Sequence, residues 1–181
     1  MNIRLPNRSP VALALATFVM QACQRAPADE QTASATASVD SIVLERSRCY
    51  GTCPAYRIRL SEAGDVRFES RNPSDSGRVA SERVTPDVVR GLLTQATALG
   101  FDSLPAVIAD DKRFCPDQAT DHLTVTVTLF RPAGPKRVED YLGCRASSDD
   151  SANVTTRLRV FENAIDSAAG SSRWVRPADR R

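Results

Sequence analysis

The chain is poor in catalytic side chains. It has one histidine in 181 residues, so His122 is the single imidazole for a Ser-His-Asp relay or a zinc site. Its acidic neighbour Asp121 adjoins it at an expected strand start, where consecutive side chains point to opposite faces. No Gly-x-Ser-x-Gly elbow is present to lift a serine out of a sheet. Zinc takes three or four ligands, usually from close pairs, and His122 reaches that number only by drawing cysteines out of disulfides. There is no glycine-rich phosphate loop, and the acid doublet Asp110-Asp111, in a loop, reads as solvated. These gaps exclude the common hydrolase, zinc and nucleotide chemistries. The expectation is a protein that is not an enzyme and carries no cofactor or metal.

Charge of one sign is also missing. Lys and Arg total 24 against 22 Asp and Glu, for a net charge of +2. A nucleic-acid surface needs a clustered basic patch, and both signs are scattered here, so no nucleic-acid partner is expected. Arg173, Arg176, Arg180 and Arg181 make a small basic end, which reads as a solvated terminus. No apolar run approaches the about 20 residues that span a bilayer. The longest is Val11 to Met20, behind Arg4 and Arg8. That is the pattern of a signal peptide over residues 1–22. Met20-Gln21-Ala22-Cys23 then resembles a bacterial lipobox, which implies lipidation of Cys23 and a membrane attachment through the lipid. The other reading is ordinary cleavage at the small residues Ala26 and Ala28, with release to the periplasm. As lipoprotein sorting goes, Gln24 after the cysteine favours the periplasmic face of the outer membrane. Residues 23–40 are Ala, Thr, Ser, Gln and acid with no hydrophobic period; such a segment cannot bury enough to fold and reads as a tether.

The most constrained stretch is Cys49-Tyr50-Gly51-Thr52-Cys53-Pro54-Ala55-Tyr56. Setting Cys23 aside leaves four cysteines, 49, 53, 115 and 144, and an even count in an exported domain reads as disulfides. Three pairings are possible. The preferred one joins Cys49 to Cys53 and Cys115 to Cys144; long-range pairing of Cys49 and Cys53 with the other two stays open. The short loop removes about 2 kcal/mol of unfolded-chain entropy, and a loop of about 30 residues roughly 3.6 kcal/mol. A third reading is a redox or metal dithiol, since Cys-x-x-x-Cys-Pro resembles the copper motif of Sco-type chaperones. In that family the motif leads into a helix. Here Tyr56, Ile58 and Leu60 alternate with Arg57, Arg59 and Ser61, the period of a strand, which offers no helix dipole to a thiolate.

The rest of the chain reads in order. Ser41–Ser47 is a strand. Ala55–Ser61 and Val66–Ser70 make a hairpin across Gly64-Asp65, with Arg57, Arg59, Arg67 and Glu69 on the wet side, as a solvated sheet face or else a binding face. Arg78–Val84 is a weaker strand. Thr85-Pro86-Asp87 starts a helix that runs to Gly100. Pro105–Asp121 is a long loop carrying Cys115. His122–Phe130 and Lys136–Leu142 form a second hairpin, with Thr124, Thr126 and Thr128 opposite an apolar face. Ser147–Ser151 offer N-caps to a last helix that closes near Gly170, and Trp174 folds back on the core. The expected fold is α+β: an antiparallel sheet of about five strands with two helices on one face (βββαββα), one domain over 41–175, and a tail at 176–181.

The segment Cys-Tyr-Gly-Thr-Cys-Pro-Ala-Tyr, followed by a strand, a Gly-Asp turn and a second strand, resembles the bacterial domain-of-unknown-function family numbered 6438. Its members begin with Cys-aromatic-Gly-Thr-Cys-Pro-x-Tyr and often follow a lipoprotein signal. The resemblance implies a secreted fold without an assigned activity. The functional expectation is a non-enzymatic binding or accessory domain of the cell envelope with an unknown protein partner. Its surface would be Tyr50, Gly51 and Thr52 together with the Pro105–Asp121 loop. The alternatives are a thiol-redox or copper-handling protein using Cys49 and Cys53, and an inhibitor of a periplasmic enzyme.

Overall fold

A computed structural model of the protein describes residues 40–145 and 153–176. The expected leader, Cys23, the tether to residue 39, Ser147–Ser151 and the tail from 177 lie outside the described residues. Asp40 is already tied to the sheet: its N–H donates to the Phe130 carbonyl (2.8 Å) and its carbonyl accepts from Glu62 N–H (3.1 Å).

The strands are β1 (Ser41–Arg46), β2 (Tyr56–Ser61), β3 (Asp65–Ser70), β4 (Val79–Arg83), β5 (Asp117–Gln118), β6 (Thr124–Phe130), β7 (Lys136–Tyr141) and β8 (Cys144–Arg145), with helices α1 (Pro86–Leu99) and α2 (Val154–Ala169). Six of the strands form one antiparallel sheet in the order β4-β3-β2-β1-β6-β7. That is one more than the expected count of about five: the βββαββα shorthand counts three strands before α1, whereas the four segments read there, Ser41–Ser47, Ala55–Ser61, Val66–Ser70 and Arg78–Val84, all correspond to strands. The last of them is the edge strand β4, mostly exposed along its length. β5 and β8 pair separately, giving order to part of what the sequence presents as a bare loop.

The core lies on one side of the sheet. Leu44, Ile58, Leu60, Phe68, Val125, Val127 and Leu129 meet Val89, Leu92 and Leu99 of α1 and Leu158, Phe161 and Ile165 of α2. Alternation in β2 and β3 puts every second residue into this core, as period two requires. Phe101, just past α1, meets Phe161 edge-on at 5.9 Å, and Trp174 stacks on Phe68 at 5.6 Å.

Local chemistry sets the boundaries. Both helices end at left-handed glycines, Gly100 and Gly170, whose N–H groups close the last turn. Thr85 is the N-cap of α1, but its hydroxyl makes no capping bond; Pro86 at the first position does the starting. Asn153 caps α2, accepting from Thr155 N–H at 2.8 Å. The second hairpin starts at Thr124 rather than His122, because Asp121 adopts a left-handed φ of 67° that breaks the extended run. Gly64 has φ 90°, and a Cβ there would collide with the Val84 carbonyl oxygen. That carbonyl belongs to the residue whose N–H bonds the Gly64 carbonyl at 2.9 Å, so the β2–β3 turn is packed directly onto the entrance to α1.

Candidate functional site

The cysteine stretch is a lid-like loop with two fixed feet. At the first, β1 is prolonged by Ser47: its N–H donates to the Thr124 carbonyl (2.9 Å) and its Oγ accepts from Thr124 N–H (2.8 Å). The chain then leaves the sheet at Arg48. At the second foot Ala55 N–H donates to Asn72 Oδ1 (2.8 Å), and the Ala55 carbonyl accepts from Arg71 N–H (2.8 Å). Asn72 is buried and its Nδ2 donates to the Arg176 carbonyl (3.4 Å). The cysteines pair as Cys49–Cys53, Cα atoms 5.5 Å apart, and Cys115–Cys144, 5.1 Å apart. Between the first pair stands Tyr50, 90% exposed, with Gly51 and Thr52 exposed beside it. Tyr56 is different: it is buried, and its hydroxyl donates to Asp166 Oδ1 at 2.8 Å, while Arg46 Nε donates to Oδ2 at 2.8 Å. Burial first, and then the Asp166 charge, push the Tyr56 phenol well above its ordinary range. It is a neutral strut joining β2 to α2.

Beside the loop lies a hollow of about 430 Å³, lined by Glu45, Arg46, Ser47, Arg48, Arg71, Thr124 and Thr126 among others. A smaller one, about 130 Å³, lies between Arg57, Arg59, Arg67 and Glu69. Two sets of ion pairs join them: Arg57 to Glu45 at 3.7 Å, and Arg67 and Arg71 to Glu69 at 2.8 and 3.1 Å. The Arg67 hydrogen bond holds the Glu69 carboxyl below its usual value. Both hollows open on the face of the sheet opposite α1 and α2, bare among the described residues. Chemically this surface offers guanidinium groups, hydroxyls and one projecting aromatic ring.

The other expected residues fall elsewhere. No residue of Pro105–Asp121 lines the hollow by the cysteine loop. That segment is fastened along β7, with Val107 bridged to Glu139, and through β5 to β8. Cys115 is buried within it, bonded to the equally buried Cys144 of β8. His122 is exposed and meets Tyr141 edge-on at 6.4 Å. Arg113 bonds Asp111 and holds its carboxyl low. Among the described residues no three His, Cys, Asp or Glu side chains are grouped to hold a metal ion, and no helix is long and apolar enough to cross a membrane. Sequence reasoning missed Ser47, Arg48, Arg71, Thr124 and Thr126. Arg48 had a signal, its place beside Cys49; the Ser47–Thr124 contact spans 77 positions and had none.

With the fold in view, residues 40–169 match the family described as a domain of unknown function, DUF6438. The chain belongs to this family. The matched stretch of the DUF6438 domain runs from the residue that ties β1 into the sheet to the last residue of α2, so it takes in both disulfides and the whole bare face. No curated protein matches the chain.

Proposed function

We propose that this DUF6438 protein is a non-enzymatic binding or accessory module of the cell envelope, carried on a lipid-anchored tether. It would meet its partner through Tyr50-Gly51-Thr52 and the adjoining hollow. One observation carries the reading: an aromatic side chain 90% exposed to solvent sits on a loop closed by a disulfide and fixed at both feet. A lone projecting tyrosine contributes nothing to the core, and a rigid loop removes the ordering cost that weakens binding. Tyrosine is also among the residues enriched at binding hot spots. The absence of an elbow motif and the single histidine support the non-enzymatic half of the proposal.

Two experiments test it. With a photo-crosslinker at Thr52 in the full chain, Tyr50→Ala should cut partner capture at least about tenfold, the range of a hot-spot truncation. It should leave stability within about 0.5 kcal/mol, as exposed substitutions do. Capture unchanged by Tyr50→Ala would remove the loop from the function. Turnover of a generic substrate that Cys49→Ser abolishes without unfolding the domain would refute the non-enzymatic half. For the anchor, Cys23→Ser should move the protein from the membrane fraction to the soluble periplasm. Retention in the membrane fraction would refute lipid attachment.

A further inference from the structure

The bare face of the sheet carries its charges in rows. Directly opposite residues share a face, so the register lays Ser81, Arg67, Arg59, Val43, Thr128 and Arg137 across it in one line. No acid stands in that line. The next line, two residues along each strand and so about 7 Å away, runs Val79, Glu69, Arg57, Glu45, Thr126, Glu139. Three of its six members are acids and one is an arginine. A cationic row therefore lies beside one of net negative charge.

Most of these charges satisfy one another. Arg67 leans to Glu69, Arg57 to Glu45 and Arg137 to Glu139. Arg59 has no ion pair among the described residues. It stands directly opposite Arg67, a like-charge arrangement that costs stability, and a hollow of about 130 Å³ opens between Arg57, Arg59, Arg67 and Glu69. A fold gains nothing from that placement. A bound carboxylate would gain a guanidinium fork.

We infer that this face is the docking surface for a second protein, which places a carboxylate in the Arg57–Arg59–Arg67 hollow and a cation over the adjacent acidic row. The alternation of rows selects a protein over an anionic polymer or a membrane. A partner of one sign gains at the Arg59 row and meets repulsion at the Glu45–Glu139 row one step away. A protein surface can present both signs at the right spacing, which is how charge complementarity fixes register and partner. The inference rests on the binding-module reading and names the partner's chemistry, since the ion pairs of Glu45 and Glu69 make this surface continuous with the hollow beside the Tyr50 loop.

The test uses the soluble Cys23→Ser chain, labelled with ¹⁵N, with the arginine Nε–Hε and backbone N–H signals followed by NMR. The probe is a (Glu-Ser-Lys-Ser)₃ peptide. As an extended strand it presents Glu and Lys alternately on one face, about 7 Å apart. It should shift the Arg59 signal. It should bind at least threefold more tightly than (Glu-Ser)₆, and phosphatidylglycerol vesicles should leave Arg59 unmoved. Arg59→Gln should weaken peptide binding at least tenfold while its Tm equals or exceeds that of the parent, because a like-charge opposition is removed. Three results would overturn the inference: an Arg59 signal that no probe moves, tighter binding of (Glu-Ser)₆ or vesicles, or a dimer that Arg59→Glu dissociates, which would make a second copy the occupant. If the Tyr50–Thr52 amides shift and Arg59 does not, the loop reading survives and this inference fails. The reverse pattern keeps the inference and discards the loop.

Discussion

Replacing Cys115 and Cys144 together by serine should lower the unfolding free energy by about 3–4 kcal/mol, whereas the double Cys49→Ser, Cys53→Ser change should cost no more than about 2. The difference follows from loop size. The first bridge spans a sequence separation of 29 and the second only 4, and the unfolded-chain entropy a cross-link removes grows with the logarithm of the loop. Burial widens the gap. Cys115 and Cys144 have almost no exposure, so serine would bring hydroxyls into a place with few partners. The long bridge also anchors its neighbours. Thr155 Oγ1 of α2 donates to the Phe114 carbonyl at 3.1 Å, and Arg159 Nη2 to the Cys144 carbonyl at 3.0 Å. Urea unfolding of the two double variants decides the matter. Equal losses, or a larger loss from the short bridge, would show that loop entropy is not what these disulfides contribute. The expected order has a practical side: a chain lacking the short bridge should remain folded, so any binding it loses reports on the Tyr50 loop itself.

Glu162→Gln should stabilise the domain in alkaline solution and remove most of its pH dependence. Glu162 is 2% exposed on α2. Burial first, and then the negative charge of Asp140, raise its carboxyl to about 9; Arg46 and Arg159 pull the other way, and Asp166 adds a smaller push upward. Asp140 is itself fully buried, bonded through Oδ2 to Arg159 Nε at 2.9 Å, while its Oδ1 has no partner among the described residues. The sign follows directly. Between the ordinary carboxylate value of 4.5 and about 9, the folded state holds a proton that the unfolded chain has released. Unfolding free energy must then fall as pH rises. The contribution is full below 4.5, declines by up to about 1.4 kcal/mol per pH unit, and levels off above about 9. Glutamine keeps the size and the neutrality without the titration. Thermal melts of both proteins from pH 5 to 9 should diverge, the variant leading by several degrees or more at pH 9, at about 2–4 °C per kcal/mol. Parallel curves would mean that Glu162 ionises freely in the folded protein.

Arg57, Arg59, Arg67 and Glu69 were legible as one wet face, but neither the buried acid nor the order of the rows across that face could be read from the chain, and the reason is the same for both. Alternation in Tyr56–Ser61 and Asp65–Ser70 reports which side of a strand is buried, because burial there repeats every second residue. The helices announce themselves by spacing and by terminal glycines. These are local signals, and they marked every strand of the main sheet, including the weak edge strand read at Arg78–Val84. Glu162 sits beside Phe161 and close to Ile165 on α2, where a charged residue ordinarily marks the rim of the apolar stripe; only the packing of α2 over the sheet turns that rim inward. Val43, Thr126 and Thr128 are similarly buried on the face opposite α1 and α2, where the long stems of flanking arginines can lie over small side chains. The Arg46–Asp166–Tyr56 cluster joins positions up to 120 apart, and Asn72 reaches Arg176. The candidate loop was legible because cysteine, glycine and proline fall within six positions of one another. The hollow beside it was not, being assembled from β1, β2 and β6.

The placement of β1 in mid-sheet bears on how the chain must be made. One flank of β1 is satisfied at once by β2, the next strand to emerge. The other waits for β6, whose pairing runs from Ser41 with Phe130 to Arg46 with Val125. In an exported chain that flank stays open until the residues of β6 have also emerged on the far side of the membrane. During that interval a hydrophobic strand displays an unpaired row of amides and carbonyls, a template for joining another chain. The same architecture that places the N-terminal strand at the centre of the finished sheet makes the nascent chain sticky, and yield should depend on how well this window is shielded.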